Sequence, residues 1–237
     1  MTRLGYTCQV MPHTSDHVAL AETTSRPRRR DPKNTRERLI RAALELFTTQ
    51  GYHASTTPQV ARKAGVAEGT IYRHFTSKQQ LLNEIYRGAV RMFTQIVAQT
   101  PSRTSCRDRM KDVADRWGEV AAQDPPLAKL VFVSPPWSLL DEKSREAYEQ
   151  MRFELEKVVA SGKASNEIRP GPAYLWTDVW LQLVRLMMER VATHEWATEH
   201  SAPRQVINSA WDAIAASAKV VSQPSPQTSP TGLRLGP

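Results

Sequence analysis

From about residue 32 to about residue 221, apolar side chains recur at intervals of three and four, and no stretch shows the period-two alternation of a half-buried strand. The chain is therefore read as all-α. A first helix starts near Pro32 or Asn34, with Asn34 as its cap and Glu37 in capping-box spacing; it buries Ile40, Ala43, Leu44 and Phe47 and ends at Gly51. Two short segments follow, Pro58 to Ala64 and Glu68 to Phe75, joined only by Gly65-Val66-Ala67. Ser77 then caps a long helix running to Gln99, whose buried stripe is Leu81, Leu82, Ile85, Tyr86, Ala89, Phe93 and Ile96. Further helices are expected over 105–122, 127–133, 138–160, 172–198 and 203–221, separated by proline pairs and polar runs.

Charge placement narrows the choice of partner. Residues 1–80 hold 13 of the 32 Lys/Arg and 6 of the 24 Asp/Glu, so +7 of the +8 net charge lies in the first third. A basic front on a neutral body suits a polyphosphate, because each cation that meets a phosphate releases condensed counterions. Residues 1–31, ending in Arg26, Arg28, Arg29 and Arg30, are expected to form a disordered basic arm. The Ser/Pro-rich stretch 222–237 reads as a disordered tail.

No stretch approaches the ~20 apolar residues of a membrane span, and the N-terminus lacks the apolar core of a signal peptide, so a cytoplasmic, nucleoid-associated protein without a membrane partner is expected. Cys8 and Cys106 stand alone, with no metal-ligand spacing, so neither metal nor other cofactor is expected. A Gly-rich phosphate loop and a Gly-x-Ser-x-Gly are missing, and the six histidines lack a paired nucleophile, which argues against an enzyme.

Segment 56–75, TTPQVARKAGVAEGTIYRHF, carries the chemistry. Thr-Thr-Pro offers a cap hydroxyl and a fixed φ to a first short helix, with Val60, Ala61 and Ala64 turned to the core. Gly65 supplies the left-handed turn, and a second short helix presents Thr70, Tyr72, Arg73 and His74 to one side while Ile71 and Phe75 point inward. Together with Ala42-Ala43-Leu44-Glu45-Leu46-Phe47, Gly51-Tyr52, Gly69-Thr70-Ile71-Tyr72, His74-Phe75 and Ser77-Lys78, this segment makes residues 33–93 resemble the N-terminal domain of TetR-family transcriptional regulators.

The resemblance implies a three-helix helix-turn-helix DNA-binding domain over 32–92, with the helix-turn-helix at 56–75, and a helical ligand-binding and dimerisation domain over 93–221. Thr56 or Thr57 would contact a phosphate, and Lys78 another; Thr70, Tyr72 and His74 would lie against backbone and bases, with packing roles for Tyr72 and His74 as the alternative. Ala67, Glu68, Gly69 and Arg73 would read bases, Arg73 by a bidentate contact to guanine. Pro58 stands where the family often has a base-reaching side chain, and Glu68 would either accept from a cytosine amino group or repel unfit sites.

The implied partners are a palindromic operator in double-stranded DNA, a second copy of the chain joined through its last two helices, and a small apolar or aromatic effector. Its pocket would be lined by Phe93, Trp117, Phe132, Trp137, Tyr148, Met151, Trp176, Trp180 and Met187, with Arg152 or Asp178 as polar handles. Repression relieved by effector is the expected mode; activation and non-specific architectural DNA binding are the alternatives.

Overall fold

The computed structural model describes residues 32–101 and 104–216, so the expected basic arm and the tail lie outside the described residues. Eight α-helices are found among those described: α1 Pro32–Thr49, α2 Thr57–Lys63, α3 Lys78–Ala98, α4 Cys106–Gln123, α5 Pro125–Ala128, α6 Glu142–Ala164, α7 Ala173–Ala192 and α8 Ser201–Ile214. A six-residue 3-10 helix, Glu68–Arg73, stands between α2 and α3. The one pairing of extended backbone among the described residues is an isolated antiparallel bridge between Ile168 and Ala215.

The N-terminal helices close over Leu39, Ala43, Leu44 and Phe47 of α1, Val60 and Ala64 of α2, Ile71 and Phe75, and Leu81, Leu82 and Ile85 of α3. Leu39 leads the α1 stripe, while Ile40 is half-buried. Because α1 already begins at Pro32, Asn34 lies inside its first turn rather than before it, and the expected cap is not formed there.

Helix α3 runs unbroken through residues 92 and 93, so a single rod carries both the N-terminal core and the body. Ser77 caps it by accepting from the Gln80 amide at 3.0 Å. Body packing is tightest where α3 meets α6 and where α7 meets α8, with α4 wedged among α6, α7 and α8.

Several boundaries differ from expectation for local reasons. The helix expected from Ser138 begins at Glu142, because Asp141 caps it through the Ser144 amide while Trp137–Leu139 forms only one 3-10 turn. The helix expected over 127–133 is α5 followed by a wider π-helical turn at Lys129–Val133. Helix α7 stops at Ala192 rather than Thr198, followed by His194 at φ +61°. Helix α8 stops at Ile214 rather than Val221, where Ala215 turns extended and bridges to Ile168, and the Arg169 side chain donates to the carbonyls of Asp212 at 3.1 Å and Ala215 at 3.2 Å. Among the described residues, no helix is long and apolar enough to cross a membrane.

Candidate nucleic-acid interface

Thr56 opens α2 with a reciprocal cap: its hydroxyl accepts from the Gln59 amide at 3.4 Å, and its own amide donates to the Gln59 side chain at 2.8 Å. The helix is too short to persist alone, so Val60 and Ala61, both buried, must fix it to the core. Gly65, at φ +64°, turns the chain, and a Cβ there would meet the Arg38 guanidinium at 2.7 Å. That guanidinium donates to the carbonyls of Ala64 and Gly65, clamping the turn from α1.

The segment that follows winds as a 3-10 helix, tighter than the α-helix expected over Glu68 to Phe75. Ala67 has no side chain with which to cap it, and Gly69 in its first turn has poor helix propensity. Burial of Ile71 and Phe75, each 2% exposed, anchors it. The result is an outward row: Glu68, Gly69, Tyr72 and Arg73 are exposed, with Thr70 and His74 half-buried at its margins. Tyr72 is 62% exposed, and a Cβ built on Gly69 would meet nothing within 4 Å, so the surface is open to a partner.

Two hydroxyls tie this row to α2. Thr57 Oγ1 and the Tyr72 hydroxyl are 2.9 Å apart, which uses one of their protons and leaves the other free to donate to an anion. No described residue pairs with Glu68 or Arg73.

Lys78 is engaged differently from the phosphate grip expected of it. Its ammonium donates to the carbonyls of Tyr52 at 2.8 Å and Ser55 at 2.7 Å, and lies 4.1 Å from the centre of the Tyr52 ring. Two of its three protons therefore hold the α1–α2 turn onto α3. Lys78→Ala leaves both carbonyls without this donor and is expected to destabilise the fold by about 2 kcal/mol. At roughly 2–4 °C per kcal/mol for a chain of this size, the thermal midpoint should fall by about 4–8 °C in circular dichroism, and an unchanged midpoint would show the clasp to be idle.

The aromatic and sulfur side chains expected to line an effector pocket are only partly brought together. Phe93, Trp117, Phe132 and Trp180 stack ring to ring at centroid distances of 4.8 to 6.1 Å, and Met151 and Met187 are buried with them. At such spacings the rings fill the body's centre rather than line a space in it. Trp137 is 43% exposed and sits 4.8 Å from Tyr148, on the side of α6 that meets α3. Trp176 lies apart, under the Arg169 guanidinium at 5.4 Å. Arg152 and Asp178 pair with each other instead of presenting free polar handles.

Two connections between the reading head and the body were not visible in the sequence. Asn83 of α3, 2% exposed, accepts from the Asp141 amide at 2.8 Å and donates to the Leu139 carbonyl at 3.0 Å. Arg87, one turn on, reaches the Asp141 carboxylate and Ser144 Oγ at 3.0 Å each. Burial disfavours the Asp141 carboxylate, yet the hydrogen bonds from Ser144 and Arg87 outweigh this and hold it below the usual carboxylate range. On the other side, Arg41 of α1 pairs with Asp124 at the end of α4, at 2.6 Å. A polar residue on the apolar stripe of α3 was the only sequence signal for the first; nothing local marked the second.

Fold and surface define a helix-turn-helix protein carried on an all-helical body. Residues 39–85 match the family described as bacterial regulatory proteins, tetR family. The chain thus carries the helix-turn-helix domain of TetR-family transcriptional regulators. It is 47% identical over 55 residues to the HTH-type transcriptional regulator TtgW of Pseudomonas putida, a stretch covering 23% of this chain and 41% of that one. The match thus spans less than half of that relative's length. Whole-chain likeness is in the fold: a TetR family regulator from Marinobacter aquaeolei VT8 superposes with a TM-score of 0.67 at 19% identity, covering 78% of this chain and 97% of that one. The transcriptional regulator FadR from Bacillus subtilis, solved in complex with stearoyl-CoA, gives 0.63 at 21% identity, covering 73% and 96%.

Proposed function

We propose that the chain is a homodimeric repressor that reads a palindromic operator through paired Glu68–Arg73 segments and lets go of it when a small, largely apolar effector binds the body. The observation that carries this reading is the outward row Glu68, Gly69, Tyr72 and Arg73, anchored by buried Ile71 and Phe75, whose two charges have no partner among the described residues. A free guanidinium on a short helix is the group that reads guanine in the major groove, and Glu68 is the acceptor that suits a cytosine amino group. Thr57 and Tyr72 then supply a backbone contact that sets register without reading sequence.

Dimerisation is supported by α7. Leu175 and Leu186 are 42% and 38% exposed, with half-buried Val179 and Leu183 between them on one side of the helix. Such a row on a soluble protein asks for a partner, and a two-fold axis beside it would pair the readers on successive turns of DNA.

Release is supported by the two joints described above. A shift of α4 or α6 on ligand binding would act on α1 through Arg41–Asp124 and on α3 through Asn83 and Arg87, changing the separation of the two readers. That a protein of the same fold was solved with stearoyl-CoA supports an effector with a long apolar part.

The test is a specificity ratio. Binding to DNA fragments selected from the source genome and to random duplex is compared at one salt concentration by fluorescence anisotropy. A preference on the order of 10³ or more is expected of an operator reader, whereas near-equal affinities would identify an architectural DNA-coating protein and overturn the reading.

A further inference from the structure

We infer that the ligand site of this chain is the cavity between α4, α7 and α8, and that it takes a small carboxylate with an apolar body. The cavity measures about 450 Å³, within the ~300–1,000 Å³ range of small-ligand sites. It lies away from the closed aromatic cluster, sharing with it only the edge at Met187.

Its floor is apolar: Ala114 and Gly118 of α4, Met187 and Val191 of α7, and Ile207 of α8. Gly118 lets the Met187 thioether lie close against α4, since a Cβ there would stand 3.3 Å from Met187 Sδ. None of the lining side chains is aromatic, so a cation has no ring face to rest on.

The rim supplies the head-group chemistry. Lys111 pairs with Asp115 on its own helix, so these two largely neutralise each other. Arg204, in the first turn of α8, is exposed and has no partner among the described residues. Asn208 lies one turn further along α8 on the same rim, adding an amide donor. An unpaired guanidinium beside an amide is a carboxylate receptor, and its planar fork fits two carboxylate oxygens. Glu119, the remaining acid on the rim, is eight residues from Lys111 along α4, about 12 Å at the helical rise. Towards Lys111, a head group thus lies beyond most of its repulsion at physiological salt.

On α7 the cavity lies off the leucine row proposed to meet the partner. Met187 follows Leu186 directly and so points about 100° round α7 from the exposed leucine row. Its α4 wall continues to Asp124, the residue that holds Arg41 of α1. A ligand that parts α4 from α8 therefore acts on a helix already tied to the reading head.

Octanoate, octylamine and octanol, matched in chain length, distinguish the head groups. Titrated calorimetrically into the full chain, octanoate is expected to bind at least about tenfold more tightly than the other two, a difference of ~1.4 kcal/mol. Arg204→Gln should cost about tenfold, and Arg204→Lys, which keeps the charge but not the fork, should recover only part of the loss. Phe132→Leu, in the aromatic cluster, should leave octanoate binding within about twofold. Absence of octanoate binding, tighter binding of octylamine, or indifference to Arg204→Gln overturns the proposal.

The link to regulation rests on the release mechanism proposed above, and DNA binding measured in the same series separates the two. Arg204-dependent octanoate binding with unchanged DNA affinity keeps the site and defeats the release mechanism. Release by a ligand indifferent to Arg204→Gln does the reverse.

Discussion

Replacing Leu175 and Leu186 together by glutamate should turn the proposed dimer into a monomer and weaken operator binding by at least about 100-fold. The two leucines are eleven residues apart on α7, three turns of helix, and therefore lie on one face. Both are substantially exposed in the single chain, so the substitutions leave no cavity in the core and should barely move monomer stability. Between two copies they would set four carboxylates against one another in a buried apolar contact, where an unpaired charge costs several kcal/mol. Loss of the dimer removes the high effective concentration of the second reader at its half-site, which is worth roughly 10²–10⁴ in affinity. Sedimentation velocity and fluorescence anisotropy on the same sample decide the matter. A doubly substituted protein that stays dimeric and binds normally would place the two-fold contact elsewhere.

Asn83→Ala is expected to be the most damaging single polar substitution where the reading head joins the body. Truncation leaves the Asp141 amide without its acceptor and the Leu139 carbonyl without the buried amide that donates to it. The Asp141 amide is left unsatisfied, at about 1–3 kcal/mol, while the Leu139 carbonyl keeps its bond from Gln79 and loses one hydrogen bond worth about 1 kcal/mol, so the loss is about 3 kcal/mol. The neighbouring Gln79 supplies an internal control, because its amide reaches the same Leu139 carbonyl at 3.1 Å from an exposed position. Gln79→Ala should change stability by less than about 0.5 kcal/mol. Urea unfolding of both variants measures the difference; equal midpoints would mean that Asn83 is no joint. Loss of the joint should also leave the angle of α3 less tightly set, so a ligand that releases DNA from the native protein should do so less sharply from the variant.

The reading head was legible because its determinants are local. Gly65 must turn, Ile71 and Phe75 must face inward four residues apart, and the residues between them are left outside; all of this follows from periodicity within twenty positions. The winding differs from the expected α-helix for an equally local reason: without a capping side chain at Ala67 and with Gly69 in the first turn, six residues settle into the tighter helix.

What stayed hidden depends on long reach. The place of Lys78 beside a cap points to a phosphate, yet its ammonium spans 23 and 26 positions back to two carbonyls. The end of α8 is met by Ile168 and Arg169, which lie in the turn before α7, so the pattern of α8 itself gave no stop at Ile214. Aromatic residues mark both a packed centre and a pocket wall, and only packing distances separate the two. Phe93, Trp117, Phe132 and Trp180 proved to be centre. The cavity, by contrast, is lined by the small side of α4, Ala114 and Gly118, which carries no signal in a search for large apolar side chains.

Everything regulatory depends on a symmetric pair of Glu68–Arg73 segments entering successive major grooves. The most direct measurement is selection of bound duplexes by the native protein and by Arg73→Ala, followed by alignment of the two sets. The expected result is an inverted repeat with half-site centres about one helical turn apart, in which Arg73→Ala erases one guanine preference at the same position of both halves. A selected motif without dyad symmetry, or one left unchanged by Arg73→Ala, would contradict it.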